Sequence, residues 1–301
     1  MRLITIAAML LCAAGSALAN EAECLDLHNR IVARGSKPDD RVLNVALFEA
    51  AEKGCLAVAE ALFSHGATAA VRRSNGESTL HAAARAGEVE MAKLLLGHQA
   101  MIDLRDLQGA HPLFLAAEAK RRDMVTFLLA NGASVNQPGR SDATALSAAA
   151  FAGSKPIVAQ LLAAGADARL ADKTGKTPVL SAAARGFQAI IELLLGQGID
   201  INARYAHNLT LLMWAAGHAN DVPEDEGRAL VALVADKGAH LDDADDRGYT
   251  ALMIAAELGH AAVIAELLKR GAASDVKARD GKTAADLASS EAVKAALALS
   301  R

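Results

Sequence analysis

The order of apolar and polar positions along the chain predicts pairs of short amphipathic helices. Residues 248–272, GYTALMIAAELGHAAVIAELLKRGA, show the pattern in full. Leu252, Ala255 and Ala256 form a first apolar face, and Gly259 marks a turn because a residue without Cβ tolerates the left-handed conformation that ends a helix. A second apolar stripe follows at the spacing of one helix face, made by Val263, Ile264, Leu267 and Leu268.

This helix pair recurs at a fixed interval, which indicates a repeat protein. The residues that precede the first helix of each pair are 33 apart, except for one gap of 40; they are Gly76, Gly109, Asp142, Gly175, Asn208, Gly248 and Gly281. The residues that close the second helices have the same gaps, with the 40 in the same place; they are Gly66, Gln99, Gly132, Gly165, Gly198, Gly238 and Gly271. Two independent series therefore define one repeating unit.

Five segments of the chain share one motif around the first helix of the pair; they are GESTLHAAARAG (76–87), TALSAAAFAG (144–153), GKTPVLSAAARG (175–186), TLLMWAAG (210–217) and GYTALMIAAELG (248–259). These segments match the pattern G-x-T-P-L-H-x-A-A-x-x-G, and the repeats therefore resemble the ankyrin-repeat family. Only His81 keeps the histidine of this pattern, so we expect the hydrogen bond that it makes to the connecting loops to be weakened in the other units.

The resemblance implies an all-α fold, an ankyrin-repeat solenoid of stacked helix–turn–helix units with projecting β-hairpin fingers. Because a repeat cannot bury its own apolar face, the end units need polar caps. We expect four parts, in chain order: a secretory signal peptide (1–19), an N-terminal capping helix (20–41), about seven repeats (42–276, with a seven-residue insertion in 217–229) and a C-terminal capping repeat (277–301).

The first 19 residues read as a secretory signal peptide. Arg2 precedes an apolar stretch from Leu3 to Ala14, and Ala17-Leu18-Ala19 forms an A-x-A cleavage site. No later stretch reaches the roughly 18 apolar residues of a membrane helix. We therefore expect an exported chain without membrane insertion, in the periplasm of a Gram-negative bacterium or otherwise secreted.

The exported chain would keep two cysteines, Cys24 and Cys55, and an even count in an oxidising compartment suggests a disulfide. The segments that begin at these cysteines resemble each other. In regularly stacked units equivalent helices lie about 10 Å apart, whereas bonded cysteines need Cα atoms within about 7 Å. A disulfide is thus expected only if the capping helix lies out of register.

The single long gap places seven extra residues between Ala216 and Leu230. Seven residues are about two helical turns, so one interpretation is a second helix lengthened at its N-terminus, with Asp221 as its cap and Pro223 in its first turn, or a longer turn before that helix. The alternative is an acidic recognition element beside Trp214. A calcium loop is disfavoured, because NDVPEDEG lacks the alternating ligands and central glycine of an EF-hand.

Composition and motifs argue against catalysis and nucleic-acid binding. The net charge is −4, whereas nucleic-acid binding favours a basic excess. The chain has no HExxH, CxxC or G-x-S-x-G motif, and TGKT at 174–177 lacks the first glycine of a phosphate-binding loop. We expect no enzymatic activity, no metal and no cofactor.

The resemblance implies that a protein partner contacts the finger tips and the exposed ends of the first helices. Aromatic residues flanked by arginine are frequent energetic centres of interfaces. The candidate protein-binding residues are Arg73, Arg105, Phe151, Lys173, Arg185, Tyr205, His207, Trp214, His218, Arg247 and Tyr249. For Trp214, packing in the core is the alternative role.

The resulting hypothesis is a monomeric, non-enzymatic scaffold that binds a protein partner along its concave finger and first-helix surface. Two alternatives use the same surface. One is a dedicated inhibitor or immunity-type protein that neutralises a periplasmic toxin or enzyme. The other is a stress-protection partner of a periplasmic redox enzyme.

Overall fold

The computed structural model describes residues 22–30, 39–217 and 223–298. The predicted signal peptide lies outside these residues. The described residues contain helices and turns but no strand, which confirms the all-α prediction. They form two compact units, which we call unit 1 (Met1–Arg140) and unit 2 (Ser141–Arg301). Within the described part of the chain, every helix falls short of the length and apolarity that a membrane crossing requires.

The helices alternate in the predicted order, a first and a second helix in each repeat. A capping helix, α1, covers 22–30. The first helices are α2 (Asp40–Lys53), α4 (Thr79–Ala86), α6 (Pro112–Glu118), α8 (Ala145–Ala152), α10 (Pro178–Ala183), α12 (Leu211–Ala216) and α14 (Ala251–Leu258). The second helices are α3 (Leu56–Ser64), α5 (Val89–Gly97), α7 (Arg122–Ala130), α9 (Lys155–Ala163), α11 (Gln188–Leu195), α13 (Glu224–Asp236) and α15 (Ala261–Lys269), and α16 (Glu291–Ala298) ends the order.

The start and end of the first helices follow from single residues. Thr144, Thr210 and Thr250 each accept a hydrogen bond from the backbone N–H three residues later, which satisfies one of the unpaired donors of a helix N-terminus. Gly259 ends α14 at φ 90°, a conformation that strains other residues. Between these ends the paired alanines are fully buried, as Ala149 and Ala150 show, so neighbouring first helices can approach closely.

The fingers are tight turns rather than β-hairpins with strands. In the finger before α10, the backbone N–H of Asp172 donates to the Lys176 carbonyl (3.0 Å), and that of Gly175 donates to the Asp172 carbonyl (2.9 Å). The Asp172 carboxylate also accepts from the N–H groups of Thr174 and Lys176. Five residues close the turn, which is too short for a ladder. Among the described residues the one strand-like pair is Arg72 with Ser78.

Backbone hydrogen bonds tie each of several fingers to the finger before it. In unit 1 the N–H of Leu107 donates to the Asn75 carbonyl (2.9 Å). In unit 2 the corresponding donors and acceptors are Lys173 to Ser141, Asp246 to His207 and Arg279 to Arg247. The fingers within a unit therefore support one another, which keeps their exposed side chains in place.

The N-terminal capping helix is held by the disulfide that the sequence suggested. Cys24 of α1 is bonded to Cys55, and their Cα atoms lie 5.3 Å apart. Leu27 of α1 is fully buried. Ion pairs from Arg30 to Glu49 and from Lys53 to Glu23 join α1 to α2. The short Cα separation fits the expectation that α1 lies out of register with the regular repeat.

The C-terminal cap has a first helix reduced to a turn over 284–287, followed by α16. Asp286 explains how this turn is held. Its carboxylate accepts hydrogen bonds from the backbone N–H and the hydroxyl of Thr283, both at 2.8 Å. An aspartate thus stands where most other repeats carry a bulkier residue that packs in the core, such as Phe114, Leu180 or Met253.

The insertion lengthens a second helix. α13 has 13 residues, whereas α15, the next second helix, has nine. Helix α13 begins at Glu224, with Pro223 at the N-cap. The expected start after Asp221, with Pro223 inside the first turn, was therefore wrong by two residues; Asp221 itself lies outside the described residues. Four of the seven extra residues form one added helical turn.

Candidate functional site

The first-helix face of unit 2 carries two pairs of a cation and an aromatic ring. Lys176 lies in the finger before α10, and its Nζ is 5.2 Å from the centroid of the Trp214 ring on α12. Arg185 follows α10, and its guanidinium carbon is 5.5 Å from the centroid of the Phe151 ring on α8. Because α10 contacts both α8 and α12, the two cations reach in opposite directions. We call these four residues the cation–aromatic strip.

Trp214 is half-buried, and packing holds its ring. Its Nε1 is buried and has no hydrogen-bond acceptor among the described residues. A buried donor without a partner costs about 1–3 kcal/mol, so the ring must gain enough from its contacts to remain in this position. Trp214 therefore serves the core and also supports Lys176 at the surface.

Exposed apolar side chains lie within the strip and beside it. The side chain of Phe151 is exposed, at 53% of its full area, and Leu258 at the end of α14 is 47% exposed. Between them, Gly217 leaves room for a neighbour, because a Cβ there would lie 3.1 Å from Ile254 Cγ2 and 3.5 Å from Leu258 Cδ1. Leu258 thus leans against Gly217 and remains available to a partner.

Lys173 and His207 lie at finger tips of unit 2 and are exposed. The Nζ of Lys173 is 3.9 Å from the Asp142 carboxylate, a loose surface ion pair. His207 has φ 60°, and its Nδ1 is 3.9 Å from the Asp246 carboxylate. The side chain of His207 retains 82% of its exposure. Both residues are accessible, as a role in binding requires.

Tyr205 is only partly accessible. Its backbone N–H donates to the Leu209 carbonyl and closes its finger. It lines a cleft of about 330 Å³ together with Arg169 and Asp200, where burial raises the pKa of the phenol. The ring lies in a cleft that the loop after α11 helps to form, and not among the four residues of the strip.

Arg247 and Tyr249 form hydrogen bonds and a cation–π contact within their own finger. The Asp245 carboxylate accepts hydrogen bonds from the N–H groups of both residues, each at 2.8 Å. The guanidinium of Arg247 is 4.0 Å from the centroid of the Tyr249 ring and 3.6 Å from Glu257. Tyr249 is only 7% exposed, so a partner at this finger would contact Arg247 and not the ring.

Arg73, the first candidate in unit 1, belongs to a closed charge network. It pairs with Glu52 at 2.7 Å and lies 4.4 Å from the centroid of the Phe48 ring. Arg73 and Arg85 also pair with Glu77. Burial alone would raise the pKa of Glu77, but hydrogen bonds from Arg85 and Asn75 and the two guanidinium charges outweigh it, so the pKa is held below its usual range.

Arg105 supports the fingers of unit 1. Its Nε donates to the Gly109 carbonyl at 3.1 Å, and its own carbonyl accepts from the Arg72 guanidinium at 2.8 Å. These bonds fix the finger, although the side chain remains exposed. The structure therefore brings together Phe151, Arg185 and Trp214 from the candidates, and keeps Arg73 and Arg105 in internal contacts. His218 lies outside the described residues.

Sequence reasoning missed the exposed Leu258 and the contact between Lys176 and Trp214. A signal for Leu258 existed, because the equivalent position in the preceding units carries Ala86, Ala119, Ala152, Arg185 and His218. A large apolar side chain in a column of small or polar residues indicates exposure. The direction of Lys176 had no such signal, because it depends on the packing of two neighbouring repeats.

Comparison with known families agrees with this architecture. A family model described as ankyrin repeats (3 copies) matches residues 46–139, 146–224 and 212–300. These matches indicate no catalytic domain, and ankyrin-repeat proteins are typically non-enzymatic. No curated protein matches the chain. The chain belongs to the ankyrin-repeat family, whose repeats form scaffolds for protein–protein interaction.

Proposed function

We propose that the chain binds a protein partner through the cation–aromatic strip of unit 2 and the exposed residues beside it. The observation that carries this proposal is the grouping of Phe151 on α8, Arg185 directly after α10 and Trp214 on α12, with Lys176 over the indole. Aromatic and arginine side chains dominate the energetics of many interfaces. The strip rests on packed helices and tied fingers, so little conformational entropy is lost when a partner binds.

We further propose that this binding takes place outside the cytoplasm, in the periplasm or cell envelope. Two features support it: the signal-like residues 1–19 and the Cys24–Cys55 disulfide, a bond typical of oxidising compartments. N-terminal sequencing of the protein released by osmotic shock tests the proposal. A mature terminus at Asn20 supports export, and an intact Met1 terminus in the cytoplasm contradicts it.

Affinity capture tests the binding surface. The exported protein serves as bait beside a variant that combines Phe151→Ala with Arg185→Ala, and bound proteins are identified by mass spectrometry. We expect the variant to lose the main partner, since both halves of one pair are removed. Lys237→Ala, an exposed change at the end of α13, is the matched control. Equal capture by wild type and double variant would exclude this surface.

The same capture separates a general scaffold from a dedicated inhibitor. An inhibitor of one toxin or enzyme predicts a single dominant partner and protection of cells from it. A general scaffold predicts several partners that share the strip. A bait in which residues 218–227 are shortened to the length of the other units tests whether the insertion contributes to recognition.

A further inference from the structure

One junction between neighbouring loops in unit 2 lacks a hydrogen bond that other junctions have. At three other junctions, an aspartate or asparagine after the second helix accepts a hydrogen bond from a backbone N–H of the next repeat. The pairs are Asp103 with Ser134 (3.0 Å), Asn202 with His240 (2.9 Å) and Asp242 with Ala273 (2.9 Å). Arg169 occupies the equivalent position after α9. Because a guanidinium has no acceptor atom, it cannot hold the N–H of Asp200 in the next repeat in this way.

A cleft of about 330 Å³ lies at this junction, and we call it the Tyr205 cleft. The residues that line it include Arg169, Thr177, Ile199, Asp200, Ala203 and Tyr205. The four residues of the cation–aromatic strip are not among the described residues that line it. Ligand pockets in proteins have volumes of roughly 300–1,000 Å³, so this cleft is large enough for a small molecule.

The Tyr205 ring lies in the cleft because Tyr205 replaces an aspartate that closes the finger in other repeats. The equivalent residues Asp106, Asp172 and Asp245 each accept hydrogen bonds from backbone N–H groups of their own finger. The phenol oxygen is too far from its own backbone to replace these short-range bonds. The ring lines the cleft instead, where burial raises the pKa of the phenol.

Thr177, at the wall of the cleft, has a buried hydroxyl without a hydrogen bond. The threonines that precede α8, α12 and α14 accept a capping bond from the backbone. Thr177 precedes α10 but makes no such bond, is only 6% exposed, and its Oγ1 has no hydrogen-bond partner among the described residues. The Tyr205 hydroxyl is near enough for Thr177 to oppose the rise in the phenol pKa, but the two hydroxyls are not in hydrogen-bond geometry. Since an unpartnered buried hydroxyl is unfavourable, a ligand in the cleft could supply the missing partner.

Two opposite charges line the cleft without pairing with each other. Arg169 and Asp200 are both exposed. Within the described part of the chain, the Asp200 carboxylate accepts only from the N–H of Asn202 (3.0 Å), and Arg169 forms its hydrogen bond through its backbone N–H and not through its guanidinium. Ile199 and Ala203 add apolar surface to the same cleft. The cleft therefore offers a separate cation, a separate anion and an apolar wall.

We propose that the Tyr205 cleft binds a small zwitterion with an apolar side chain, of the size of a free amino acid or a dipeptide. The ligand carboxylate pairs with Arg169, its ammonium group pairs with Asp200, and its apolar side chain packs against Ile199 and Ala203. A ligand with a single charge would leave one of the two protein charges unpaired, whereas a zwitterion satisfies both. This inference goes beyond the proposed binding of a protein partner, because the cleft and the cation–aromatic strip share no residue.

Calorimetric titration of the full chain with L-leucine and with L-leucyl-L-leucine tests the proposal. We expect saturable binding of at least one of the two compounds, and the tighter one shows whether the cleft takes a free amino acid or a peptide. The same compound with its amine acetylated, or with its carboxylate converted to an amide, should bind at least about tenfold more weakly, because one charge pair is lost.

Three protein variants locate the binding. Arg169→Asn and Asp200→Asn should each weaken binding by about tenfold. Because Asn202 accepts the equivalent loop hydrogen bond in the next repeat, Arg169→Asn should restore that bond, and its melting temperature should not fall below that of wild type. Arg122→Asn makes the same change at an exposed residue of α7 and should leave binding unchanged. Circular dichroism checks that each variant folds.

The inference would be overturned if neither zwitterion bound, or if the acetylated or amidated compound bound as tightly as its parent. Unchanged affinity in the folded Arg169→Asn and Asp200→Asn variants would also overturn it, since the ligand would then lie elsewhere. None of these results depends on capture of a protein partner by the strip, so the two proposals can fail separately.

Discussion

Two buried histidines, His81 and His111, show how one side chain joins two elements of unit 1. His81 accepts from the Ser78 backbone N–H through Nδ1 (3.1 Å) and donates from Nε2 to the Ala110 carbonyl in the next finger (3.1 Å). His111 lies at the N-cap of α6, accepts from the Phe114 N–H and donates to the Gln137 carbonyl at 3.2 Å. We expected the hydrogen bond from a first helix to the following finger to be weaker in every unit that lacks His81. This expectation is wrong for the next repeat, where His111 makes the equivalent hydrogen bond to the finger.

Unit 1 should lose stability as the pH falls from about 6.5 to 4. Burial is the main cause that lowers the pKa of His111 to about 4, whereas an unfolded histidine has about 6.5. The native state keeps His111 neutral, so its contribution is complete above pH 6.5 and is lost on acidification, by about 3 kcal/mol at pH 4. Urea unfolding at several pH values measures this loss.

A His111→Gln variant is the comparison for this prediction, since other groups also titrate near pH 4. The variant should be less stable than wild type at pH 7, yet lose about 3 kcal/mol less between pH 6.5 and 4. Parallel pH profiles for the two proteins would show that His111 does not cause the change.

At the level of elements, the inserted turn of α13 caps the next repeat. The Glu224 carboxylate accepts a hydrogen bond of 2.7 Å from the backbone N–H of Ala262, in the first turn of α15. His260, which precedes α15, contacts the Ala216 carbonyl through Nδ1 at 2.8 Å. The insertion thus connects α13 with α15 and does not only add an acidic surface.

Replacing Glu224 by alanine should destabilise unit 2. The change removes a cap from the N-terminus of α15, where loss of a capping side chain costs about 1 kcal/mol. Asp225→Ala is the matched control, because Asp225 only contacts Arg228 at 3.5 Å on the surface, and such pairs contribute little. Thermal unfolding compares the two; equal effects would contradict the capping role.

The disulfide should stabilise the N-terminal cap. It closes a separation of 31 residues, and the chain-entropy argument gives about 4 kcal/mol for a loop of this size. We expect Cys24→Ser with Cys55→Ser to lower the free energy of unfolding by that amount, and reducing agent to affect only the wild type. Free thiols in the non-reduced exported protein would contradict the bond.

The sequence predicted the elements better than the contacts between them. The period and the helix pairs follow from glycine, threonine and apolar spacing in each unit, and the structure confirms them. Two predictions were wrong by small margins, the strands in the fingers and the first residue of α13. Both depend on local geometry, which decides how a turn closes and where a helix is capped. The roles of His111, Glu224 and Lys176 were missed, because each depends on a contact with a neighbouring repeat more than 25 residues away.

At the level of the whole molecule, the two units differ in what their charged side chains do. The arginines of unit 1 that were candidates for binding pair with buried or neighbouring groups, as Arg73 does with Glu52 and Glu77. Unit 2 presents exposed Phe151 and Leu258 beside two cations held over rings. We therefore propose that unit 2 carries the binding surface.

Site-specific photo-cross-linking tests this assignment most directly. A photoreactive amino acid replaces Phe151 in one protein and Lys237 in another, and both are irradiated in living cells. The account predicts a discrete cross-linked partner from position 151 and none from position 237. A partner captured at 237 but not at 151 would show that the chain binds through another face.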